Sequence, residues 1–488
     1  MEDTNSKTIS RLKMKKKGKV LFIIHDVYQE DNDFPLGIGY LAAVLKKEGV
    51  DVRVCCQDVF HYSNEELAQR FLEKENYDLI GFGFLAARFK ETVLGLCETI
   101  NKHKKDAWLV LGGHGPAPVP EYVIKKTNAD VITIGEAEET IIELLKCKLE
   151  NGDLSKIKGI AYKDGDRVVI NERRKMIVNL DLIPFPEWSL FPMEIYTNCL
   201  QIFNAEKNDK VLGILTSRGC INRCNFCYRM EGGIRFRSMD NIIEEINILN
   251  KKYGVTYFQM HDELFNYPKK RIFEFYQAVK KSNLKIKFSC NARVDIFDEE
   301  LALWLKESGC NFLNFGFESA DQKVLNLIGK NTTVEQNLRA LEIAQKVGIG
   351  VGLNFIWGNK GDSEESLRRN VELIKKYNTY DQLRTIRPVT PYPGCDLYYE
   401  AIRKGFLSGP EDFFNKFKNS DLITVNFTDM PLNKCYELLF AANKDLITDH
   451  YMHTTKNMEE ADRLINDFYE LYFKGKTNFR GSRHYEKK

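Results

Sequence analysis

"VLGILTSRGCINRCNFCYR", residues 211–229, joins an apolar run to three closely spaced cysteines. VLGILTS (211–217) reads as a strand. Cys220, Cys224 and Cys227 follow it in one short turn, spaced C-x3-C-x2-C. In parallel α/β architectures the chemistry gathers beyond the carboxyl ends of the strands, so the place of these thiols counts as much as their number. Two metal readings stand. A structural zinc site wants four ligands, usually in paired knuckles, and neither a second CxxC nor a histidine at finger spacing accompanies this loop. A three-thiolate loop suits a [4Fe–4S] cluster with one iron left open, and an open metal position is one where something other than the protein binds.

Downstream of the loop, strand and helix alternate. Strands are predicted at TYFQMH (256–261), KIKFSCN (285–291), NFLNFGF (311–317), IGVGLNFIW (349–357) and QLRTIRPV (382–389), with helices between them. Six βα repeats are too few for a closed eight-stranded barrel and enough for a partial, TIM-like (βα)6 one. Its strand ends carry polar residues in turn: the cysteines, then Asp262 and Glu263, then Asn291 and Arg293, then Glu318, with Asn354 near the end of the fifth strand. Each has a purely structural reading, Arg293 with Glu318 as an ion pair and Asp262 as a helix cap. Their joint placement is what points to a site.

Upstream, KVLFII (19–24), VDVRVCC (50–56), DLIGFGF (78–84), AWLVLGG (107–113) and ADVITIG (129–135) are predicted strands separated mostly by helical patterns. They imply a doubly wound, Rossmann-like domain with a five-stranded parallel sheet. Its ligand-facing ends read HDVYQEDNDFPLG, LAAR, GGHGPAPVPE and GEAEE. Gly112 and Gly113 permit close backbone approach there, and the absence of GxGxxG disfavours a nicotinamide dinucleotide. IKGIAYKDGDRVVINERR (157–174) reads as a hairpin turning at Asp164-Gly165, and Pro184, Pro186 and Pro192 mark a linker.

The 488 residues are too many for one ordinary domain, and 43% hydrophobic content supplies real cores. A formal net charge of +2 creates no global field for nucleic acid, and no apolar stretch is long enough to span a bilayer. The run KMKKKGK (13–19) precedes only five apolar residues, too few for a signal-peptide core, so a reduced, cytoplasmic setting is expected for the 12 cysteines. The organisation expected is a basic tail (1–17), the doubly wound domain (18–150), hairpin and linker (151–205), the partial barrel (206–400) and a helical C-terminal region (401–488).

CINRCNFC resembles the cluster loop of the radical S-adenosylmethionine (SAM) superfamily, C-x3-C-x-Φ-C, with Phe226 in the aromatic place. NFGFES around Glu318 and PYPG (391–394) are similar to the same family. PLGIGYLAAVLKKEG, LGGHGPAPVPE and GEAEETIIELL resemble the cobalamin-binding domain of its B12-dependent branch. The resemblance spans about residues 18 to 400. It implies that Cys220, Cys224 and Cys227 hold three irons and that SAM chelates the fourth. It implies SAM contacts from Phe226, Tyr228, Asp262, Glu263, Asn291, Arg293, Glu318 and Asn354: an acidic group at the SAM amino end, Arg293 at the carboxylate, Glu318 at the ribose. One electron from the cluster then splits SAM to methionine and a 5′-deoxyadenosyl radical. The cobalamin contacts implied are Pro35, Gly37, Leu85, Ala86, Arg88, Gly112, Gly113, His114, Gly135 and Glu136.

Two departures accompany the resemblance. The loop after the fifth barrel strand reads GNKGDS (358–363) where relatives often have GLPGET, and D-x-H-x-x-G is absent, the nearest text being Asp58-Val-Phe-His61. Cobalamin is therefore expected without a histidine on cobalt, and His25, His61 and His114 as polar contacts or core residues. The activity implied is methylation of an unactivated carbon of a small molecule or of a natural-product or lipid intermediate. The alternatives are radical cyclisation or rearrangement and a non-catalytic iron–sulfur and corrinoid sensor. A flavodoxin- or ferredoxin-type electron donor is the protein partner implied. The C-terminal helices NKCYELLFAANKDLITDHYMH (433–453) and MEEADRLINDFYELYFKG (458–475) read as a small aromatic subdomain.

Overall fold

The computed structural model describes residues 17–27, 32–199, 204–230 and 232–476. The basic tail before residue 17 and the terminal FRGSRHYEKK lie outside them. The chain divides into two compact units, one built from residues up to 200 with Arg229–Asn241, the other from most of the remainder.

In the first unit, β1 (Lys19–Ile24), β2 (Asp51–Cys56), β3 (Leu79–Gly83), β4 (Trp108–Gly112) and β5 (Val131–Thr133) form the expected parallel array. The hairpin, β6 (Ile160–Asp164) and β7 (Arg167–Ile170), is not a free connector. It extends the sheet antiparallel to β5, giving the order β2-β1-β3-β4-β5-β6-β7. β6, with Tyr162 opposite Val131, covers the edge that β5 would otherwise leave unpaired. The chain leaves β1 to either side of the sheet, so the carboxyl ends of β1 and β3 flank a topological switch point, where ligands of such sheets sit. Val20, Phe22, Val52, Leu79 and Val110 pack below it with Leu144 and Leu145 of the helix Glu138–Glu150. The segment between β2 and β3 starts a helix at a Ser63–Glu66 capping box and widens into a π turn at Ala68–Leu72. A last strand of this unit, β10 (Gly233–Phe236), follows the cysteine loop.

In the second unit β8 (Val211–Ile214), β11 (Tyr257–Met260), β12 (Lys287–Ala292), β13 (Cys310–Glu318), β14 (Gly350–Trp357) and β15 (Arg387–Pro388) lie side by side in chain order, all parallel, as a half-barrel. Phe258, Phe288, Phe315 and Trp357 are fully buried in it. The helix Val334–Val347 starts at a Thr333–Gln336 capping box and ends at Gly348 in the left-handed region.

Two strands are shorter than their apolar runs. The run 211–217 leaves the sheet at Ile214, because the Thr216 N–H turns to the Asp262 carboxylate, and resumes as β9 (Ser217–Cys220). The run 382–389 pairs only at Arg387–Pro388. Both backbone groups of Ile386 are taken instead by the Asn443 side chain, at 2.8 and 3.1 Å, from the helix Leu432–His453. That helix and Met458–Phe473 pack on the outside of the last βα unit, with Lys375 bonded to Asp445 and Tyr380 to Asp449. Among the described residues no helix is long and apolar enough to cross a membrane.

Candidate active site

The carboxyl ends of the half-barrel strands bring the cysteine loop together with a buried set of charges. Cys220 ends β9, Cys224 is buried, and Cys227 is exposed. The loop is held from outside at Asn225, whose N–H donates to Ile328 O at 3.0 Å and whose carbonyl accepts from Leu397 N at 2.8 Å. Phe226 packs against Val324, Leu325 and Ile328. Its placement between Cys224 and Cys227 thus has a packing reason.

The Cys227 thiol is hydrogen-bonded to Cys224 and, against the opposing effect of burial and with help from the Lys330 charge, pulls Cys224 down to about 6. Cys227 is pushed up in turn. The pair thus shares one proton, with thiolate character at Cys224 and the thiol form at Cys227. Among the described residues no three His, Cys, Asp or Glu side chains converge on a point where one ion could sit. A zinc ion needs such convergence; a cluster does not, since each thiolate takes a different iron. The donor set fits the cluster.

Lys330 is the residue that the sequence reading missed. Its ammonium lies 2.8 Å from Glu318 Oε1, with side-chain exposures of 9% and 11%, so each charge is buried only because the other is there. Burial opposes the charge on Lys330, but Glu318 and Cys224 outweigh it and hold it above the ordinary lysine value. The backbone is shaped for this pair. Glu318 has φ +64°, at a register shift between β13 and β14. A Cβ at Gly316 would come within 2.4 Å of Glu318 Oε1 and 2.8 Å of Lys330 Nζ. A glycine two residues before the glutamate was the available signal, together with a lysine closing the turn after helix Gln322–Leu327.

The other expected SAM contacts fall into two groups. Asp262 is 1% exposed, and its carboxylate accepts from Thr216 N (2.6 Å), Thr216 Oγ1 (2.5 Å) and Ser217 Oγ (2.7 Å). Arg271, also buried, donates to Thr216 O at 3.0 Å and adds its charge beside Asp262. Burial still raises the Asp262 pKa. Arg293 is likewise turned inward: it donates to Asp295 through Nε and Nη2 and to Lys330 O through Nη2. With its amide in the orientation that satisfies both groups, Asn222 Oδ1 accepts from Arg293 Nε and Nη1 at 3.2 and 3.3 Å, so Arg293 braces the cysteine loop. Asn291 donates to Asp262 O at 3.0 Å. Glu263, which accepts from Gly219 N, and Asn354, which donates to Phe315 O, remain open to solvent, and Tyr228 is half-buried. The GNKGDS loop is organised by buried Asp362, which accepts from Gly358 N, Asn359 N and Ser366 Oγ.

In the first unit the expected corrinoid contacts line the switch-point edge. Leu85 is 61% exposed, Gly37, Gly113 and His114 are exposed, Ala86 is buried, and Pro35 and Gly135 lie between. Arg88 pairs with Glu91 and Glu136 with Arg235 at 2.9 Å. Gly112 is small for a reason within the fold: a Cβ there would meet Thr133 Oγ1 at 2.5 Å. The Asp58-Val-Phe-His61 side chains diverge, Asp58 accepting from Tyr196 OH and His61 pairing with Asp26 at 3.0 Å. Burial and the Arg88 charge lower His25 to about 4, and its buried Nε2 has no hydrogen-bond partner among the described residues. An orphaned buried imidazole atom beside this edge is what a bound ligand rich in amides would satisfy, so the residues fit a corrinoid.

Comparison with known proteins agrees with both halves. The radical SAM superfamily model matches residues 214–374, and the B12 binding domain model matches residues 32–145. The chain is similar to the uncharacterized methyltransferase PH0819 of Pyrococcus horikoshii, 30% identical over 451 residues, covering 89% of this chain and 94% of that one. It is similar to the anaerobic magnesium-protoporphyrin IX monomethyl ester cyclase of Rubrivivax gelatinosus, 28% identical, covering 75% of this chain and 66% of the relative. Most of the named relatives are methyltransferases and a minority are cyclases. The solved radical SAM methyltransferase TsrM from Kitasatospora setae, with cobalamin and a [4Fe–4S] cluster bound, superposes with a TM-score of 0.63 at 18% identity, covering 80% of this chain and 75% of that one, a likeness of fold.

Proposed function

The chain belongs to the B12-binding radical SAM superfamily, and on that premise we propose that it methylates an unactivated carbon of a small molecule. The observation that carries the reading is a three-cysteine loop, one ligand short of a closed site, set against the buried Lys330–Glu318 pair. When bound, the cluster supplies the electron that splits SAM, and the corrinoid carries a methyl group.

The chain's own residues bind and orient. Cys220, Cys224 and Cys227 hold the cluster. Lys330 receives the SAM carboxylate, a role that Arg293 is too fully bonded to take. Glu318 accepts from the ribose hydroxyls. Glu263, rather than the saturated Asp262, meets the ammonium. The switch-point edge would hold the corrinoid, and the chain carries no D-x-H-x-x-G signature to supply a histidine to it. A flavodoxin- or ferredoxin-type carrier supplies electrons.

Anaerobic reconstitution with iron, sulfide and hydroxocobalamin, then SAM and a low-potential reductant, tests the reading. Bound corrinoid with release of both 5′-deoxyadenosine and S-adenosylhomocysteine is the expected result. Corrinoid binding with deoxyadenosine alone, in the presence of a substrate that is consumed, would favour cyclisation, a reading the 28% identity to a cyclase supports. Lys330→Met should weaken SAM binding roughly 10- to 100-fold, the worth of a hydrogen bond to a charged group, at unchanged iron content. Unchanged affinity by calorimetry would remove Lys330 from the cradle.

A further inference from the structure

The inner face of the half-barrel is not built like a packed barrel core. Along a strand, successive side chains face opposite sides. Phe288 packs on Phe275 of the helix Lys269–Lys281, Phe315 packs on Phe297, and Trp357 Nε1 donates to Ser363 O, so these residues face the outer helices. Their strand neighbours line the lumen, and the register aligns them in rows. Gly213, Gln259, Ser289 and Phe312 form the first. Asn291, Asn314 and Gly352 form the second, and Gly316 with Asn354 the third. Barrel interiors are ordinarily filled by bulky branched side chains. Here Phe312 is the one large apolar residue in three rows of glycine, amide and hydroxyl.

The rows lead to the cradle. A Cβ at Gly213 would collide with the His261 ring, one at Gly352 with Asn314 Oδ1, and one at Gly316 with Glu318 Oε1. The polar tips of His261, Asn314 and Glu318 therefore lie over the same inner face. That face is open: Phe288, Phe315 and Trp357 are fully buried, whereas Gln259, Asn291, Asn314 and Gly316 are partly exposed and Asn354 is exposed. Gln259 Oε1 is buried with no hydrogen-bond partner among the described residues. At the amino ends of the strands Tyr257 OH donates to Asn311 Oδ1 at 2.7 Å, and Asn204 and Asn311 exchange side-chain-to-backbone bonds at 3.2 and 2.8 Å. Lys287, beside Tyr257, is paired with Asp209 at 3.0 Å, and none of the three rows carries a charged side chain.

We infer that this lumen receives the substrate, and that the part entering it is polar and uncharged, bearing amide, hydroxyl or ring-nitrogen groups, and not a hydrocarbon or lipid chain. The inference deepens the radical SAM reading above and rests on it. A hydrocarbon there would strip water from Gln259, Asn291 and Asn314 and return no hydrogen bond, and a site built from such groups rejects a molecule that cannot bond to them. A charged group would meet no counter-charge short of the Lys330–Glu318 pair. Each amide side chain offers a donor and an acceptor, so Gln259 and Asn314, on the strands either side of β12, suit a molecule that carries both.

The test maps the lumen with two probes, N-methylacetamide and xenon, in crystals of the full chain, both reconstituted with SAM and metal-free. N-methylacetamide should lie within hydrogen-bond distance of Gln259 or Asn314, with no xenon in the lumen. Gln259→Leu/Asn314→Leu should reverse the preference: xenon enters, and N-methylacetamide affinity, read by saturation-transfer NMR, falls about tenfold. Xenon in the wild-type lumen overturns the polar assignment, and so does a lumen that takes neither probe. An unchanged N-methylacetamide affinity in the double variant overturns the roles of Gln259 and Asn314. The wild-type maps decide the chemistry of the lumen even where the variant does not fold. A reconstituted chain that fails to bind SAM overturns the functional reading instead; the metal-free maps then still report a polar ligand site, but its assignment to the substrate falls.

Discussion

Asp262→Ala removes the acceptor that pins the start of the cysteine loop. The carboxylate takes three hydrogen bonds at 2.5 to 2.7 Å. Bonds to a charged group contribute about 1.5–3 kcal/mol each, so the gross loss is several kcal/mol. Two effects reduce it. The Thr216 and Ser217 hydroxyls can rotate to other acceptors, leaving only the Thr216 N–H stranded, and the cost of burying the carboxylate is recovered. About 3 kcal/mol remains, on the order of a 100-fold increase in local opening. Hydrogen exchange followed by mass spectrometry on peptides within 211–228 should show that acceleration in the metal-free protein, with peptides from β1 to β5 unaffected. Asp262→Asn keeps one acceptor for Thr216 N–H and should lose only about 1 kcal/mol. Iron incorporation should fall in the same order. An alanine variant whose 211–228 exchange stays within threefold of wild type would refute the argument and return Asp262 to the SAM contacts.

Cys224→Ala should abolish cluster assembly, read as iron and sulfide content and loss of the visible charge-transfer absorbance; a variant with wild-type iron would end the cluster assignment. Gly316→Ala should displace the Glu318–Lys330 pair, because its Cβ would lie 2.4 Å from the carboxylate, and SAM affinity should drop about tenfold with the fold retained by circular dichroism. Burial pushes Asp362 up to about 7, with its bonds to Ser366 and the loop amides opposing the shift. A carboxyl raised in the folded state contributes stability that is complete below the unfolded value near 4 and is lost as pH rises through about 7. Asp362→Asn should therefore flatten the thermal-stability profile between about pH 4 and 7, and an unchanged profile would show that Asp362 is not the group responsible.

Much of the half-barrel was legible because each strand is a compact apolar run followed by its own polar residue, a local pattern. The partnerships that could not be read in advance were those that depend on distant residues. Nothing near Ile386 reveals that Asn443, 57 residues on, takes both of its backbone groups. The inward commitment of Asp262 to Thr216 and of Arg293 to Asp295 and Lys330 likewise needs three dimensions. A carboxylate at a strand end looks the same in sequence whether it faces a ligand or the loop beneath it. Lys330 was overlooked because it follows a helix rather than a strand, outside the places where barrel chemistry is first sought.

The buried charges around the Lys330–Glu318 pair are balanced within the polypeptide. Lys330 is matched by Glu318, Arg293 by Asp295, and Asp262 by Arg271 with three donated hydrogen bonds. Each buried charge thus has its partner within the polypeptide, the condition under which such burial is tolerated. A bound cluster would disturb that balance, since three thiolates outweigh the positive core of an oxidised [4Fe–4S] cluster and would leave net negative charge. SAM would restore it, because its sulfonium and ammonium outweigh its carboxylate and make it a net cation. Methionine is a neutral zwitterion and 5′-deoxyadenosine carries no charge, so the products would lack that attraction. The same reasoning separates the two substitutions that touch the central pair. Lys330→Met leaves the carboxylate of Glu318 unopposed beside the cluster, a site already short of positive charge, and should impair both SAM binding and cluster reduction. Glu318→Gln leaves the positive charge in place and should weaken SAM binding through the ribose alone, with reduction of the cluster unimpaired.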